Sequence, residues 1–487
     1  IDSRTGRHLV SQAPASADPK SQLRRVMGFW DVLLFNIATV LGPRWIAAAA
    51  HNGASSISLW VLSAVFFFLP TSLVIMELST RFPEEGGLYE WSKEAFGEFH
   101  GFVAGWTYWV YTFFYFPGLL MASAAMAAYM GGSGAAHLAQ SRWFLMLGSF
   151  ALLIVAVWLN LIGLDVGKWL QNAGGVATYA PLLMLVGMGA YVWHAHGSAT
   201  HFSWATIRPS WNWNTVNFWP QIAFAFTGLE LCSAMSEEVR NPRRIFPPAI
   251  IGSGLAIAFM YTVGTIALLA MLPAAVVDPK SGIFQALTLA STMLRLSAFG
   301  VIAAVLVTVG NAGGVGSTVA GVARIPFVVG IDHYMPAAFG KIHPKWKTPW
   351  VSILVQAGIS GLVLLLIQLN ETVNSAYFIL VDAAVILYFI PFLYMYAAFI
   401  KLAYRADRAS SENVVLVPGG KFGAWLTGSL GFLVVLGGIV LSMIPPGETR
   451  NIWMFEGKLI GGTGLCVLIG LILYFRGAWD KDREARA

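Results

Sequence analysis

The chain has 487 residues, of which 57% are hydrophobic and only 11% are charged. Ordinary soluble domains have about 45–50% apolar and about 25% charged residues, so the composition argues against a water-soluble fold. The formal net charge of +6 does not indicate nucleic acid binding, because the basic residues are spread over alternate loops. Cys232 and Cys466 both lie in apolar runs, so the sequence offers neither a disulfide framework nor a thiolate cluster for a metal.

Twelve apolar segments follow a polar amino-terminal stretch. Residues 1–23 are rich in Ser, Ala and Pro and lack the apolar core of a secretory signal peptide, so we expect a disordered tail. A helix that crosses a bilayer needs about 20 mostly apolar residues, and each segment is about that long or longer. The segments are approximately 28–50, 57–79, 101–130, 143–162, 170–193, 216–236, 248–272, 298–324, 349–368, 375–400, 423–444 and 457–475. An even number of spans places both termini on one side, and most of the 30 Lys and Arg residues then fall on that side, which predicts cytoplasmic termini.

Two of the predicted spans are interrupted near their middle. Gly42 and Pro43 fall inside the first span, and Thr227 and Gly228 fall inside the sixth. Such interruptions are tolerated at membrane depth only against protein or a water-filled cavity, and a pair of them is typical of transporters built from inverted repeats. The alternative is a proline kink that only fits neighbouring helices.

A broken helix exposes amide groups at the start of one half and carbonyl groups at the end of the other. The amides favour anions and the carbonyls favour cations, so a small zwitterion such as an α-amino acid matches both sets. Arg44, Glu230 and Asp382 are charged residues within or next to the apolar spans, which marks them as functional candidates. We expect Arg44 to bind an anionic group and Glu230 or Asp382 to take up a proton. The alternative is a structural ion pair between Arg44 and one of the two acids.

The eighth span contains the glycine-rich stretch GNAGGVGSTVAG at 310–321. Glycines there favour close helix packing, while Ser317 and Thr318 offer hydroxyl oxygens for a possible cation site. The third span is mostly aromatic, and we interpret one set of its aromatic residues at helical spacing as packing and lipid contacts. That set is Trp106, Trp109, Phe113 and Phe116. All nine His residues lie in loops or at helix ends, which supports neither a buried proton relay nor a metal site.

Several stretches carry a resemblance to a known superfamily. They are the broken first span, ELSTRFPEEGGLYEWSKEAFG at 77–97, FAFTGLELCSAMSEEVRNPRRIFPPAI at 224–250, ARIPFVVGIDHYMP at 323–336 and VPGGKFGAW at 417–425. On these motifs the chain resembles the amino acid, polyamine and organocation (APC) transporters, and it looks most similar to the bacterial glutamate/GABA antiporters and related amino acid permeases. The similarity spans about residues 26–475.

The resemblance implies the leucine-transporter fold, with two five-helix inverted repeats, two further helices and alternating access. It places the substrate-binding segment of the first span on Gly42, Pro43 and Arg44, with the Val40 carbonyl available to the substrate amine. In the sixth span it implies a gating aromatic at Phe224, substrate contacts at Phe226, Thr227 and Gly228, and a proton-linked acid at Glu230. Where some relatives have a lysine in the fifth span, this chain has Thr178, so a lysine-based proton mechanism is not expected.

The sequence therefore predicts an all-α membrane protein with twelve transmembrane helices. We expect a tail at 1–23, a first repeat at 24–200, a second repeat at 201–404, two further helices at 405–476 and a cytoplasmic tail at 477–487. The predicted function is secondary active transport of L-amino acids across a bacterial inner membrane, as an exchanger or a proton-coupled symporter, with no enzymatic activity, metal or cofactor. Its partners are a small-molecule substrate, H⁺ or Na⁺, and the bilayer. The alternatives are a polyamine or organocation transporter and a membrane sensor or channel without transport.

Overall fold

The computed structural model is helical throughout the residues that it describes, which are 25–84, 86–210, 212–279, 281–294, 298–331, 334–370, 373–405, 414–444 and 452–486. Ten of the described helical segments are long and apolar enough to cross a membrane. They are Phe29–His51, Ser55–Arg81, Glu98–Gly131, Arg142–Ile162, Asn172–His196, Pro242–Met271, Ala298–Gly330, Ile379–Ala403, Gly420–Ser442 and Trp453–Lys481. The predicted all-helical membrane architecture is confirmed.

Two of the twelve predicted spans differ from these ten segments. The predicted sixth span is divided between two helices, and the predicted ninth corresponds to the helix Trp350–Asn370, which contains the apolar stretch Trp350–Leu366. The sixth differs because its backbone is broken in the middle, as the Thr227-Gly228 dipeptide predicts.

The helices follow one another with short connections. In the first half of the chain they are α1 (Phe29–Val40), α2 (Pro43–His51), α3 (Ser55–Ser63), α4 (Leu69–Arg81), α5 (Leu88–Phe96), α6 (Glu98–Val110), α7 (Thr112–Ala127), α8 (Arg142–Ile162) and α9 (Leu164–His196). In the second half they are α10 (Trp204–Ile207), α11 (Trp213–Ala225), α12 (Pro242–Met271), α13 (Gly282–Met293), α14 (Ala298–Val322), α15 (Arg324–Ile331), α16 (Trp350–Asn370), α17 (Val373–Ala403), α18 (Gly420–Ser442) and α19 (Ile452–Arg486). A π-helical turn at Ala64–Phe68 joins α3 to α4. The 3₁₀ helices are Ala128–Gly131, Ser133–Gln140, Leu229–Glu238, Ala274–Val276 and Ala337–Gly340.

Large apolar side chains are exposed along several helices. Ile154 and Trp158 of α8 are 65% and 59% exposed, and Leu255 and Phe259 of α12 are 69% and 54% exposed. Exposed apolar faces of this extent are unfavourable in water and match the hydrocarbon interior of a bilayer. They identify the lipid-facing side of these spans.

The glycine-rich helix α14 packs closely against α9 and α1. A Cβ atom at Gly174 would lie 2.6 Å from the Cα of Gly313, and one at Gly314 would lie 2.7 Å from the Ala38 carbonyl oxygen. Thr178 of α9 fills the space beside Gly310 in the same way. The predicted close packing of this stretch is therefore observed, and it holds α1 against the centre of the molecule.

The segment before α1 pairs with the end of the 3₁₀ helix Leu229–Glu238. The amides of Val26 and Met27 donate to the Glu238 carbonyl at 2.9 and 3.0 Å, and Met27 forms a parallel bridge with Val239. The Glu238 side chain is buried and accepts from Arg324 Nε at 2.7 Å and Nη2 at 2.9 Å. Glu238 thus connects the segment before α1, the 3₁₀ helix Leu229–Glu238 and helix α15.

The predicted tail at 1–23 lies outside the described residues. The predicted repeat boundaries fall in or beside connections, because α9 ends at His196 and α17 ends at Ala403. Helix α19 continues through most of the predicted carboxy-terminal tail, to Arg486. The division into repeats stays a prediction.

Candidate functional site

The two predicted helix breaks are present and lie side by side. Helix α1 ends at Val40, and Leu41 and Gly42 are extended before α2 begins at Pro43. Pro43 occupies the first position of α2, where its missing N–H costs nothing because that group has no intrahelical partner. Helix α11 ends at Ala225, and a 3₁₀ helix begins at Leu229.

Gly228 allows the two breaks to approach each other. Its φ of +119° lies in the region that favours glycine, and a Cβ atom there would lie 3.1 Å from side-chain carbons of both Thr39 and Val40. A larger residue would therefore strain the sixth-span break and push it away from the first.

A small cavity lies between the breaks and helices α7, α14 and α17. Its volume is about 20 Å³. About 10–15 Å³ of such space holds one water molecule, so in this conformation the cavity must widen before it can admit a small-molecule ligand. Its lining consists of Thr39, Val40, Trp45, Tyr111, Tyr115, Phe224, Ala225, Thr227, Gly228, Leu231, Thr318 and Tyr388.

Arg44 is buried beside this cavity, and part of its guanidinium is without a hydrogen-bond partner. The residue is 2% exposed, and its Nε and Nη1 atoms bond to nothing among the described residues. Its guanidinium carbon lies 4.4 Å from the ring centre of Trp45 and 5.2 Å from that of Tyr115, both of which line the cavity. Neither Glu230 nor Asp382 forms a salt bridge with it in the described part of the chain. The predicted alternative of a structural ion pair is thus not observed.

Glu230 is also buried, but its carboxylate is held by three donors. Tyr108 donates to Oε1 at 2.6 Å, Tyr388 donates to the same oxygen, and the Gly228 amide donates to Oε2 at 3.1 Å. These donors come from α6, from α17 and from the sixth-span break. A carboxylate that accepts three hydrogen bonds can remain charged in a buried site, and here it fastens the break to two other spans.

Aromatic rings cover the cavity on several sides. Phe224 contacts Trp45, Tyr115 and Tyr388 with ring-centre distances of 5.8, 5.9 and 5.3 Å. Tyr111 packs edge-on against Tyr388 at 4.3 Å. In this conformation Phe224, the predicted gating aromatic, is at the centre of a continuous aromatic cluster.

The other predicted site residues are distributed unevenly. Thr227 and Thr318 line the cavity, while Phe226 is fully buried behind it against Phe68 and Trp60. Asp382 and Ser317, described next, do not line it.

Asp382 is buried on α17 and hydrogen-bonds to the side chain of Gln221. Ser317 is buried and its hydroxyl is without a partner among the described residues, whereas Thr318 donates to the Gly314 carbonyl at 2.9 Å. A cation site at Ser317 and Thr318 stays a prediction. Within the described residues, no group of three or more His, Cys, Asp or Glu side chains could hold a metal ion.

The aromatic residues of the third span lie on two faces of the helix, and the sequence pattern predicted one of these faces. Trp106, Trp109, Phe113 and Phe116 are buried packing residues, as predicted in part, although they face protein rather than lipid. The face that contacts the cavity and Glu230 carries Tyr108, Tyr111 and Tyr115. The signal was their i, i+3 and i+7 spacing, which places three hydroxyl groups on one side of a helix.

Comparison with known proteins agrees with this geometry. The chain matches the family described as amino acid permease over residues 27–462. It is 26% identical to an uncharacterised transporter of Legionella pneumophila, over 92% of this chain and 96% of that one. It is 27% identical to a probable agmatine/putrescine antiporter of Lactococcus lactis, AguD, over 77% of this chain and 78% of the relative.

Two further comparisons concern a characterised exchanger and a solved structure. The chain is 26% identical to the serine/threonine exchanger SteT of Bacillus subtilis, over 76% of this chain and 83% of SteT. The crystal structure of MhsT in complex with L-phenylalanine superposes with a TM-score of 0.60 over 86% of this chain and 98% of MhsT, at 14% identity. The likeness to MhsT shows a leucine-transporter-like fold.

Proposed function

Because the chain belongs to the amino acid permease family, whose relatives are transporters rather than enzymes, we propose that it carries L-amino acids by alternating access. It is a multi-pass membrane protein. We place it in the bacterial inner membrane with twelve spans, two inverted five-helix repeats and both termini in the cytoplasm. The observation that carries the proposal is the pair of broken spans around one small aromatic cavity, beside which Arg44 is buried with no counter-ion among the described residues.

The chemistry of the cavity favours a zwitterion. The substrate carboxylate would approach Arg44, whose Nε and Nη1 have no partner in the described part of the chain, because a buried guanidinium without a counter-ion gains most from an anionic ligand. The substrate ammonium would approach carbonyl oxygens at the ends of α1 and α11, where the helix dipoles are negative. Val40 and Ala225 both contribute to the lining and end these two helices.

The substrate side chain is small in this proposal. The cavity is narrow and closed by bulky rings, and its lining includes the hydroxyl-bearing residues Thr227, at the sixth-span break, and Thr318. A short neutral or hydroxyl-bearing side chain fits such a lining. The similarity to a serine/threonine exchanger points in the same direction.

Glu230 supplies the proton-linked step. In the conformation described here its side chain accepts three hydrogen bonds. Protonation of Oε2 would set an O–H group against the Gly228 amide, which is also a donor, and so would release the sixth-span break. We therefore expect protonation of Glu230 to loosen the contacts with Tyr108 and Tyr388 and to favour reorientation of the binding site.

The experiment that tests the proposal is counterflow in proteoliposomes. Vesicles are preloaded with one amino acid, GABA, agmatine or putrescine, and uptake of the labelled compound is followed at pH 5.5 and 7.5, with and without sodium, against protein-free vesicles. Saturable counterflow of neutral amino acids is expected. If only diamines exchange, Arg44 does not contact the ligand and the polyamine alternative holds. If no compound exchanges, the sensor or channel alternative holds.

A further inference from the structure

The third span is interrupted at Tyr111, one of the residues that line the cavity. Helix α6 ends at Val110 and α7 begins at Thr112, and we call residues 109–117 the third-span joint. The Thr112 hydroxyl donates to the Trp109 carbonyl at 2.6 Å, a type of bond that often bends helices, and Pro117 has no N–H for the carbonyl four residues before it. The direction of the Tyr111 ring therefore depends on what holds this joint.

Helix α16 contacts the joint through residues that do not line the cavity. The side-chain amide of Gln356 donates to the Thr112 hydroxyl oxygen at 3.1 Å, and the Ser360 hydroxyl donates to the Thr112 carbonyl at 3.4 Å. Because Thr112 uses its only hydroxyl proton on Trp109, its oxygen can only accept here, which directs the NH₂ group of Gln356 toward it. Gln356, Thr112 and Ser360 are each at most 1% exposed, so water does not compete for these bonds.

The amide of Gln356 is costly at this position. Ile353 and Ala357, which flank it on α16, belong to an apolar cluster with Phe116 and Leu153. The Oε1 atom of Gln356 has no hydrogen-bond partner among the described residues. A buried amide that is only half satisfied costs free energy that an apolar side chain of similar shape would avoid. Stability alone therefore favours an apolar residue here, and the amide is explained by the group that it holds.

We propose that Gln356 is a positioning residue that fixes the third-span joint and so sets how far Tyr111 and Tyr115 extend into the cavity. Tyr111 packs edge-on against Tyr388 with ring centres 4.3 Å apart, and its ring centre lies 5.6 Å from that of Tyr115. Since Thr112 follows Tyr111 in the chain, a shift of Thr112 also moves this ring. Helix α16 thereby limits the size of the substrate side chain. This limit rests on the proposed function, whereas the hold on the joint does not.

The test uses Gln356→Leu, which removes the amide and keeps a side chain of similar volume. Its matched control is Gln368→Leu, the same substitution on the same helix, at a buried glutamine whose amide has no partner among the described residues. Thr112→Val removes the hydroxyl from the other side of the contact. Its control is Ser123→Ala, because the buried Ser123 hydroxyl donates to the Leu119 carbonyl of its own helix.

The first measurement needs no substrate. A fluorotyrosine is incorporated at position 111, and its fluorine NMR signal is recorded in detergent. We expect this signal to shift or split in Gln356→Leu and in Thr112→Val, because the ring takes more than one position when the joint is not held. Gln368→Leu and Ser123→Ala should give the wild-type signal, and so should Thr112→Ser, which keeps the hydroxyl.

The second measurement is counterflow with substrates of two sizes. In Gln356→Leu the ratio of kcat/KM for leucine to kcat/KM for serine should rise about fivefold, the equilibrium effect of one lost hydrogen bond. The maximal rate with serine should stay within about twofold of wild type. The double variant with Thr112→Val should match either single variant, since both remove the same contact. A residue needed only for stability would lower the rates with both substrates together.

An unchanged fluorine signal in Gln356→Leu would overturn the proposal, as would an equal change in the Gln368→Leu control. If Gln356→Leu does not fold, Thr112→Val decides: an altered signal supports the hold on the joint and a wild-type signal refutes it. An altered signal with an unchanged kcat/KM ratio would refute the limit on substrate size. An altered signal combined with no counterflow by the wild-type protein would support the hold on the joint and refute the proposed transport function.

Discussion

The two helix breaks each bury one charged residue, but the protein satisfies the two charges in opposite ways. Glu230 at the sixth-span break receives three hydrogen bonds, from two tyrosines and a backbone amide. Arg44 at the first-span break has no partner for Nε or Nη1 among the described residues, and its guanidinium packs against the rings of Trp45 and Tyr115. A buried polar group without partners is costly, so the comparison assigns different tasks to the two breaks. The first is prepared for a ligand, and the sixth is prepared for a change within the protein.

The largest effect is expected from Arg44→Ala. If the guanidinium binds the substrate carboxylate, its removal leaves a buried anion unpaired, and counterflow should fall at least about a hundredfold, corresponding to about 3 kcal/mol. Membrane insertion and monodispersity in detergent should be unaffected, because Arg44 forms no ion pair that holds the described fold together. Initial rates of counterflow, normalised to inserted protein, provide the measurement.

Arg208→Ala is the matched control for Arg44→Ala, because Arg208 is exposed on the connection before α11 and remote from the cavity. It should transport like wild type. Normal counterflow by Arg44→Ala would contradict the assignment of ligand binding to the first-span break.

A smaller effect, with a different signature, is expected from Glu230→Gln. The glutamine side chain has the size of the carboxyl group but cannot change its charge. Either its NH₂ group or its oxygen then faces the backbone N–H of Gly228. Counterflow should fall about tenfold and lose its dependence on pH between 5.5 and 7.5, whereas wild type should be faster at the lower pH. Rates are measured across that pH range in vesicles clamped at equal internal and external pH.

Asp382→Asn sharpens this test because Asp382 is the other buried acid considered for the proton-linked step. We expect its pH profile to follow that of wild type. A flat profile in Asp382→Asn together with a normal profile in Glu230→Gln would transfer the proton-linked role to α17.

Removing one donor to Glu230 should have a more modest result. Tyr388→Phe and Tyr108→Phe each delete one hydroxyl, and each should change the maximal exchange rate by about fivefold, equivalent to about 1 kcal/mol. Because both hydroxyls bond to the same oxygen, their effects should not add in the double variant. Additive effects in a double-mutant cycle would argue that the two tyrosines act separately.

The smallest effect is expected from Ser317→Ala. The Ser317 hydroxyl is buried and has no partner among the residues that the structure describes, so its loss should leave stability equal or improved by about 1 kcal/mol and transport within about twofold. Sodium should stimulate transport by neither the wild-type protein nor Ser317→Ala. Sodium-dependent wild-type transport that disappears in Ser317→Ala would instead establish a cation site on α14. Thermal unfolding in detergent and counterflow in sodium-free buffer provide the two readouts.

The positions of the helix breaks could be predicted because they depend on local chemistry. Proline at 43 and glycine at 228 restrict or free the backbone wherever they occur, and both breaks are found where these residues lie. The apolar segments could be predicted for the same reason, because they depend on local composition.

The partners of the buried charges could not be predicted, because they depend on how distant helices face one another. Tyr108 and Trp109 are adjacent in the sequence, yet one bonds to Glu230 and the other packs against Phe113 and Phe339. Tyr261 lies 35 residues from Phe226, and nothing in its neighbourhood in the sequence marks it as a contact of both breaks. Such assignments need the rotation of each helix about its axis.

The contacts of Glu238 bear on how water can enter from the end of the molecule where Met27 pairs with Val239. The backbone carbonyl of Glu238 holds two amides of the segment before α1, and its carboxylate holds the buried Arg324 guanidinium. If these segments separate, the Glu238 carboxylate, the Arg324 guanidinium and the two amides must be hydrated together. Hydrating only one of these groups would leave the others buried without hydrogen-bond partners. Intermediate degrees of opening are therefore disfavoured, and this end of the protein should exist as two discrete populations, sealed and hydrated.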